Sequence, residues 1–116
     1  MAVTFGESFV GGLFGFRRTY GSLARIEADS VGSLKGDWLE ALRRIGPWRE
    51  SRGPKATSIS FYFLVPESIA DETRSFLGDV LFSPRKTPPE LAGLVVEAVV
   101  FHPDGSVTLE STFRAS

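Results

Sequence analysis

The chain has 116 residues, of which 42% are hydrophobic and 23% are charged, and its formal net charge is −1. This size and composition are typical of one globular domain spanning residues 1–116, and they exclude disordered, collagen-like and multidomain proteins. The absence of cysteine excludes disulfides, zinc-cysteine sites and thiol catalysis, and leads us to expect a cytoplasmic protein.

The N-terminal part is rich in glycine and phenylalanine. Alternating aromatic residues between positions 14 and 20 predict a strand, and residues 23–28 predict a second strand that pairs with it across a turn at Tyr20 and Gly21, although a helical turn also suits that segment. The apolar runs are too short to cross a bilayer, and no basic residue precedes the first of them. We therefore expect neither a membrane anchor nor a signal peptide.

The next segment is an amphipathic helix by its periodicity. Its apolar residues fall on one predicted face: Leu34, Trp38, Leu39, Leu42 and Ile45. Ser33 or Asp37 is expected to cap its N-terminus, and Gly46 followed by Pro47 is expected to end it. Residues 47–56 are then predicted to form a polar loop.

Two further helical segments and a strand follow. Residues 57–66 alternate between an apolar and a mixed face, which predicts a strand. Ser68 begins a second predicted helix, whose inward residues are Ile69, Phe76, Leu77 and Val80. Residues 87–90 predict a short third helix that gives way to strand near Gly93.

The C-terminal segment is predicted to be a β-hairpin around the sequence HPDGS. Pro103 suits the second position of a type I turn, Asp104 the third, and Gly105 the left-handed residue of a bulged loop. Together these elements predict an α+β fold with two layers, in which two helices cover a mainly antiparallel sheet that ends in the hairpin.

The expected hairpin register determines the surroundings of Glu97 and of the only histidine. The turn predicts Phe101 opposite Val107, which places Glu97 on a nearly apolar face and His102 at the end of the more solvated face. The same register pairs Val99 with Leu109, Val95 with Phe113, and Glu97 with Ser111. A carboxylate among apolar neighbours must find a partner or acquire a raised pKa, so Glu97 is either a structural residue or a ligand-contacting one.

Catalytic groups are scarce. A Ser-His-Asp triad would depend on His102, and the chain has no G-x-S-x-G motif, no second histidine or cysteine for zinc, and no EF-hand spacing. We expect no metal and no cofactor. One alternative stays open, a small enzyme or ligand-binding domain that uses Glu97, His102 and Glu110 on the hairpin.

The remaining feature is a basic segment at residues 43–55. It contains five basic residues and one acidic residue, a formal charge of +4 in a chain of net −1. The candidate partner-binding residues are Arg43, Arg44, Trp48, Arg49, Arg52 and Lys55. Arginines beside a solvent-side aromatic ring suit a protein interface or base stacking, unless Trp48 packs beneath the helix end.

The leading hypothesis is a non-enzymatic module that binds another protein with an acidic surface, for example as an inhibitor or immunity-type protein. Nucleic-acid binding by residues 43–55 is an alternative, because clustered cations contact phosphates. Self-association through an uncovered, phenylalanine-rich sheet face is a further one.

Overall fold

The computed structural model describes residues 2–11, 18–83 and 87–115. The strands are β1 (Ala2–Gly11), β2 (Arg18–Glu27), β3 (Ala56–Leu64), β4 (Val95–Phe101) and β5 (Val107–Arg114), and the α-helices are α1 (Val31–Arg52) and α2 (Ala70–Val80). Short 3₁₀ helices occupy Gly53–Lys55, Glu67–Ile69 and Pro89–Leu91.

The strands form one mixed sheet in the order β1-β2-β3-β4-β5. The outer pairs β1–β2 and β4–β5 are antiparallel, whereas β2–β3 and β3–β4 are parallel and are joined through α1 and α2. Right-handed crossovers that step in the same direction place both helices on one face of the sheet. The predicted α+β architecture with two layers and a C-terminal hairpin is confirmed, and the two helical crossovers account for the parallel half of the sheet.

β2 runs straight through the predicted turn. Tyr20 and Gly21 lie inside this strand, which pairs along its whole length with β1. The predicted pairing of residues 14–20 with residues 23–28 is therefore wrong, and positions 12–17 lie outside the described residues. One continuous strand satisfies the backbone groups of β1 on one side and of β3 on the other, which a turn at Tyr20 would not do.

The start of α1 differs from the prediction. The helix begins at Val31, and its cap is Ser30, whose Oγ accepts a hydrogen bond from the backbone N–H of Ser33 at 3.2 Å. Ser33 and Asp37, the predicted caps, both lie inside the helix. Ser30 has the extended backbone that a capping residue needs, so the helix gains one turn at this end.

The end of α1 also differs, because the helix continues to Arg52 with Pro47 inside it. The predicted stop at Gly46 and the predicted loop at residues 47–56 are wrong. A proline in a helix interior costs about 3 kcal/mol, so the turns beyond it need tertiary support. That support comes from Trp48, which is buried against the sheet.

The core lies between the helices and the sheet. The alternation of β3 buries Ile59, Phe61 and Phe63, as predicted, and the Trp38 ring lies 5.0 Å from that of Phe61. The buried side of α1 consists of Leu34, Trp38, Ala41, Ile45 and Trp48. Leu39, predicted to face inward, is instead 65% exposed, because it follows Trp38 directly and points about 100° away around the helix.

The C-terminal hairpin has the predicted turn and a shifted register. Gly105 is left-handed with φ +89°, and Phe101 lies opposite Val107, as predicted. A bulge at Val100 then adds one residue to β5, so that Leu109 lies opposite Val100 and not Val99. Phe113 accordingly lies opposite Val96 and not Val95. This exchanges the two faces: the even-numbered residues of β4 are buried, and Glu97 lies on the face away from the helices.

Candidate functional site

The solvent-facing side of α1 presents an apolar residue between two cations. Lys35, Leu39, Arg43 and Pro47 are spaced four residues apart and are all exposed. We call these four residues the α1 ridge. Side chains at this spacing are neighbours on a helix surface, so the ridge forms a continuous strip about 18 Å long. Leu39, 65% exposed, is its apolar centre.

A shared carboxylate orients the arginines beside the ridge. Glu40 accepts hydrogen bonds from Arg43 and, at 3.0 Å, from Nε of Arg44. These bonds, first that of Arg44 and then that of Arg43, lower the pKa of Glu40. Two guanidinium groups share one carboxylate, so a net positive charge remains beside Leu39. The Arg43 side chain is 78% exposed and accessible to a partner.

Trp48 is not a surface residue, and the expectation of a solvent-side ring is wrong. It is 9% exposed, its ring meets that of Phe5 edge-on at 6.4 Å, and its Nε1 donates a hydrogen bond of 2.6 Å to Glu7. Glu7 lies on β1, 41 residues away in sequence, so only the fold reveals this contact. Trp48 instead packs beneath the end of α1, in agreement with the alternative interpretation of the sequence.

Arg52 belongs to the same network. Its Nε and Nη2 each lie 2.7 Å from an oxygen of Glu7, and its guanidinium lies 4.2 Å from the centre of the Tyr20 ring. The bond from Arg52 is the main cause of a lowered pKa of Glu7 and raises the pKa of Arg52 in return. This planar pairing joins the end of α1 to β1 and gives Arg52 a structural role.

The other cations of residues 43–55 point in different directions. Arg44 donates to the carbonyl of Val3 at 3.2 Å on the β1 side of α1, whereas Arg49 donates to the carbonyl of Glu90 at 3.0 Å on the opposite side. Lys55 lies beyond the helix, in the exposed 3₁₀ turn. The structure thus distributes the six predicted residues over several surfaces, and only Arg43 lies on the ridge.

The predicted hairpin site is divided by the sheet. Glu97 lies on the side opposite the helices, where Tyr62 donates a hydrogen bond of 3.0 Å to its Oε1. This bond is the main cause of a raised pKa of the Tyr62 hydroxyl, to which burial and the charge of Glu110 also contribute. Glu110 lies opposite Val99 on the same side. Glu97 and Glu110 are therefore brought together, with Tyr62 as a neighbour that the sequence did not indicate.

His102 lies apart from these carboxylates and is 3% exposed, so its expected position on a solvated face is wrong. Its Nδ1 lies 2.8 Å from the carbonyl oxygen of Val65, and its Nε2 contacts the hydroxyl of Thr108. Because a carbonyl only accepts, Nδ1 carries a proton, and in the neutral ring Nε2 then accepts a hydrogen bond from the hydroxyl of Thr108. Both ring nitrogens are satisfied by structural bonds, and the ring ties the end of β3 to the hairpin.

No three His, Asp or Glu side chains within residues 2–11, 18–83 and 87–115 are grouped closely enough to hold a metal ion. Neither helix in the described part of the chain combines the length and apolarity needed to span a bilayer.

Comparison of the chain with models of protein families gave no match, and comparisons with curated proteins and with solved structures gave no significant match.

Proposed function

We propose that this protein is a non-enzymatic module that binds an acidic protein partner through the α1 ridge. The observation that carries the proposal is the exposure of Leu39 between Lys35 and Arg43. An isolated surface leucine needs no explanation, but one flanked by two cations on a rigid helix has the composition of a small interface, with an apolar centre and a polar rim.

The charge around Leu39 defines the class of partner. Arg43 extends into solvent and shares its carboxylate with Arg44, so the ridge attracts acidic side chains. Charge complementarity of this kind raises association rates and selects between partners. We propose a partner whose surface places an apolar pocket between Asp or Glu residues, with Leu39 entering the pocket.

An inhibitor or immunity-type protein, which neutralises a partner enzyme, is the form of this function that we favour. A small cysteine-free domain with few catalytic groups suits that task in a reducing compartment, and we propose the cytoplasm. The positions of Glu97 and His102 on opposite sides of the sheet argue against the alternative of a hairpin active site.

Nucleic-acid binding through residues 43–55 has less support than protein binding. It would require a row of free cations along one surface, since each phosphate contact needs its own cation. Arg44 and Arg49 instead lie on opposite flanks of α1, and Arg52 is paired with Glu7.

A capture experiment with matched variants tests the proposal. The immobilised wild-type protein, the double variant Leu39→Asp/Arg43→Glu and the control Arg74→Glu, which changes an exposed charge on α2, are exposed to lysate of the source organism with and without nuclease treatment. Circular dichroism first establishes that all three are folded. We expect one acidic protein in stoichiometric amount on the wild type and the control, reduced at least tenfold on the double variant.

The inhibitor hypothesis makes a further prediction. If the captured protein is an enzyme, its activity should fall in proportion to added wild-type protein and should be unaffected by the double variant. Equal capture by all three forms would refute the ridge as the binding surface. Material that is lost on nuclease treatment and elutes with salt would instead favour nucleic acid.

A further inference from the structure

The face of the sheet opposite the helices is open. We call it the outer face, and within residues 2–11, 18–83 and 87–115 no helix packs on it, because both helices lie on the other side. Seven apolar or aromatic side chains on it are partly or largely exposed: Leu23, Tyr62, Leu64, Val95, Val99, Phe101 and Val107. Leu23 is 37% exposed and Val107 is 54% exposed.

The exposed apolar side chains of the outer face lie mainly on the central strands. β2, β3 and β4 are joined by two parallel pairs, whereas both outer pairs are antiparallel. Antiparallel sheets commonly leave one face solvated, but all-parallel sheets are covered on both faces. The exposed apolar side chains on β3 and β4, where the parallel pairs meet, point to a covering partner.

The outer face carries one cation and one anion on each side: Arg25 and Glu27, which are 2.9 Å apart, on β2, and Glu110 and Arg114 on β5. The strand registers place Arg25, Tyr62, Val99 and Glu110 next to one another in a single row across β2, β3, β4 and β5. The row begins with a cation and ends with an anion. Neighbouring strands are about 4.8 Å apart, so Arg25 and Glu110 are separated by roughly 14 Å within one chain.

We propose that the outer face is covered by the outer face of a second copy of this chain. A two-fold axis that runs parallel to the strands, between β3 and β4, stacks β2 on β5 and β3 on β4 of the second copy. Arg25 then lies opposite Glu110 of the second copy, and the symmetry forms this pair twice. Such an interface is self-complementary, as a two-fold dimer requires.

The neighbouring rows are compatible with the same axis. Leu64 comes to lie opposite Phe101 of the second copy, because these residues are partners across β3 and β4 in one chain. Ser60 and Glu97 are related in the same way. Glu97 already accepts the Tyr62 hydroxyl at 3.0 Å and gains a second donor from the facing serine, so it is not left unpaired in the interface.

The contact area is that of a weak dimer. The stacking leaves β1 outside the contact, so four strands about 4.8 Å apart and four rows about 6.8 Å apart give a flat area of roughly 520 Å² per copy. Stable interfaces bury about 800 Å² per partner, so the expected dissociation constant lies in the micromolar range. Because α1 is on the other side of the sheet, the dimer leaves both α1 ridges accessible, and this inference is independent of the proposed function.

Sedimentation equilibrium of the purified protein at about 1 to 200 μM tests the dimer. We expect the wild type to dimerise within this range and Glu110→Arg to weaken the dimer by a factor on the order of ten to one hundred, because it sets two arginines against each other twice. The double variant Arg25→Glu/Glu110→Arg exchanges the charges and should restore most of the affinity. Leu39→Asp, on the other side of the molecule, serves as the control and should leave the dimer unchanged.

The charge exchange is specific to contact between copies. Within one chain, residues 25 and 110 are farther apart than the Debye length of about 8 Å at physiological salt, so restoration cannot arise inside a monomer. Val99→Lys, which places a charge near the axis, should give a monomer and provides a second test if a reversal variant does not fold. A wild type that is monomeric at the highest concentration, or a dimer unaffected by Glu110→Arg and Val99→Lys, would overturn the proposal.

Discussion

Replacing Thr108 by valine should destabilise the fold, because it removes the hydrogen bond to the buried ring of His102. The substitution preserves the shape of the side chain, so its main effect is to leave Nε2 of a residue that is 3% exposed without a donor. An unsatisfied buried polar atom costs about 1–3 kcal/mol. Thr108 itself is half-buried and admits some water, so we expect about 1–2 kcal/mol.

Urea denaturation measures this effect. With a urea dependence of about 2 kcal/mol/M for a domain of this size, the midpoint should fall by about 0.5–1 M. Thr4→Val, which changes an exposed threonine on β1, is the matched control and should shift the midpoint much less.

Nitrogen-15 NMR of the same samples reports the histidine tautomer. The geometry requires the proton on Nδ1, since that atom faces the Val65 carbonyl at 2.8 Å. A neutral ring with its proton on Nε2, or equal stability of Thr108→Val and the wild type, would refute the structural role assigned to His102.

Three further substitutions test local features of the structure. Glu7→Gln should lower the urea midpoint near pH 7, because it weakens the pairing with Arg52. The folded-state pKa of Glu7 lies below its usual value of 4.5, so the difference between variant and wild type should persist above pH 4.5 and disappear as the pH falls below it. A difference that grows in acid would contradict the pairing of Glu7 with Arg52. Pro47→Ala should raise the thermal midpoint, since it removes an exposed proline from the interior of α1, and a lower midpoint in calorimetry would indicate that Pro47 fits its site without strain. In an absorbance titration at alkaline pH, Tyr62 should ionise above the usual pH range of tyrosine, because its hydroxyl donates to Glu97. Glu97→Gln should move this ionisation to lower pH. An unchanged titration would show that the bond is absent in solution.

Local patterns in the sequence were sufficient to predict the features that depend only on the spacing or type of neighbouring residues. The alternation of β3 and the left-handed glycine of the hairpin turn were predicted, because each depends on neighbouring residues alone. The end of α1 was not, because Pro47 signals a stop and the contacts that extend the helix come from Glu7, 41 residues before Trp48. A distant partner of this kind leaves no trace in local periodicity.

The candidate sites show the same limit. One extra residue at a bulge exchanged the two faces of the hairpin, moving Glu97 outward and His102 inward. Leu39 was assigned to the core because it fits a broad apolar face, whereas the residues that are buried follow the narrower spacing of 34, 38, 41, 45 and 48. That spacing is visible in the sequence once Trp48 is included in the helix, and it identifies Leu39 as the exception.

The most direct test of the α1 ridge as a binding surface is site-specific photo-crosslinking in cells of the source organism. A photo-reactive phenylalanine derivative in place of Leu39, which is 65% exposed, probes the ridge, and the same group in place of Arg74 on α2 is the control. We expect one major adduct with an acidic protein from position 39, reduced by the additional change Arg43→Glu, and no such adduct from position 74. An absence of adducts at position 39, or the same adducts from both positions, would contradict it.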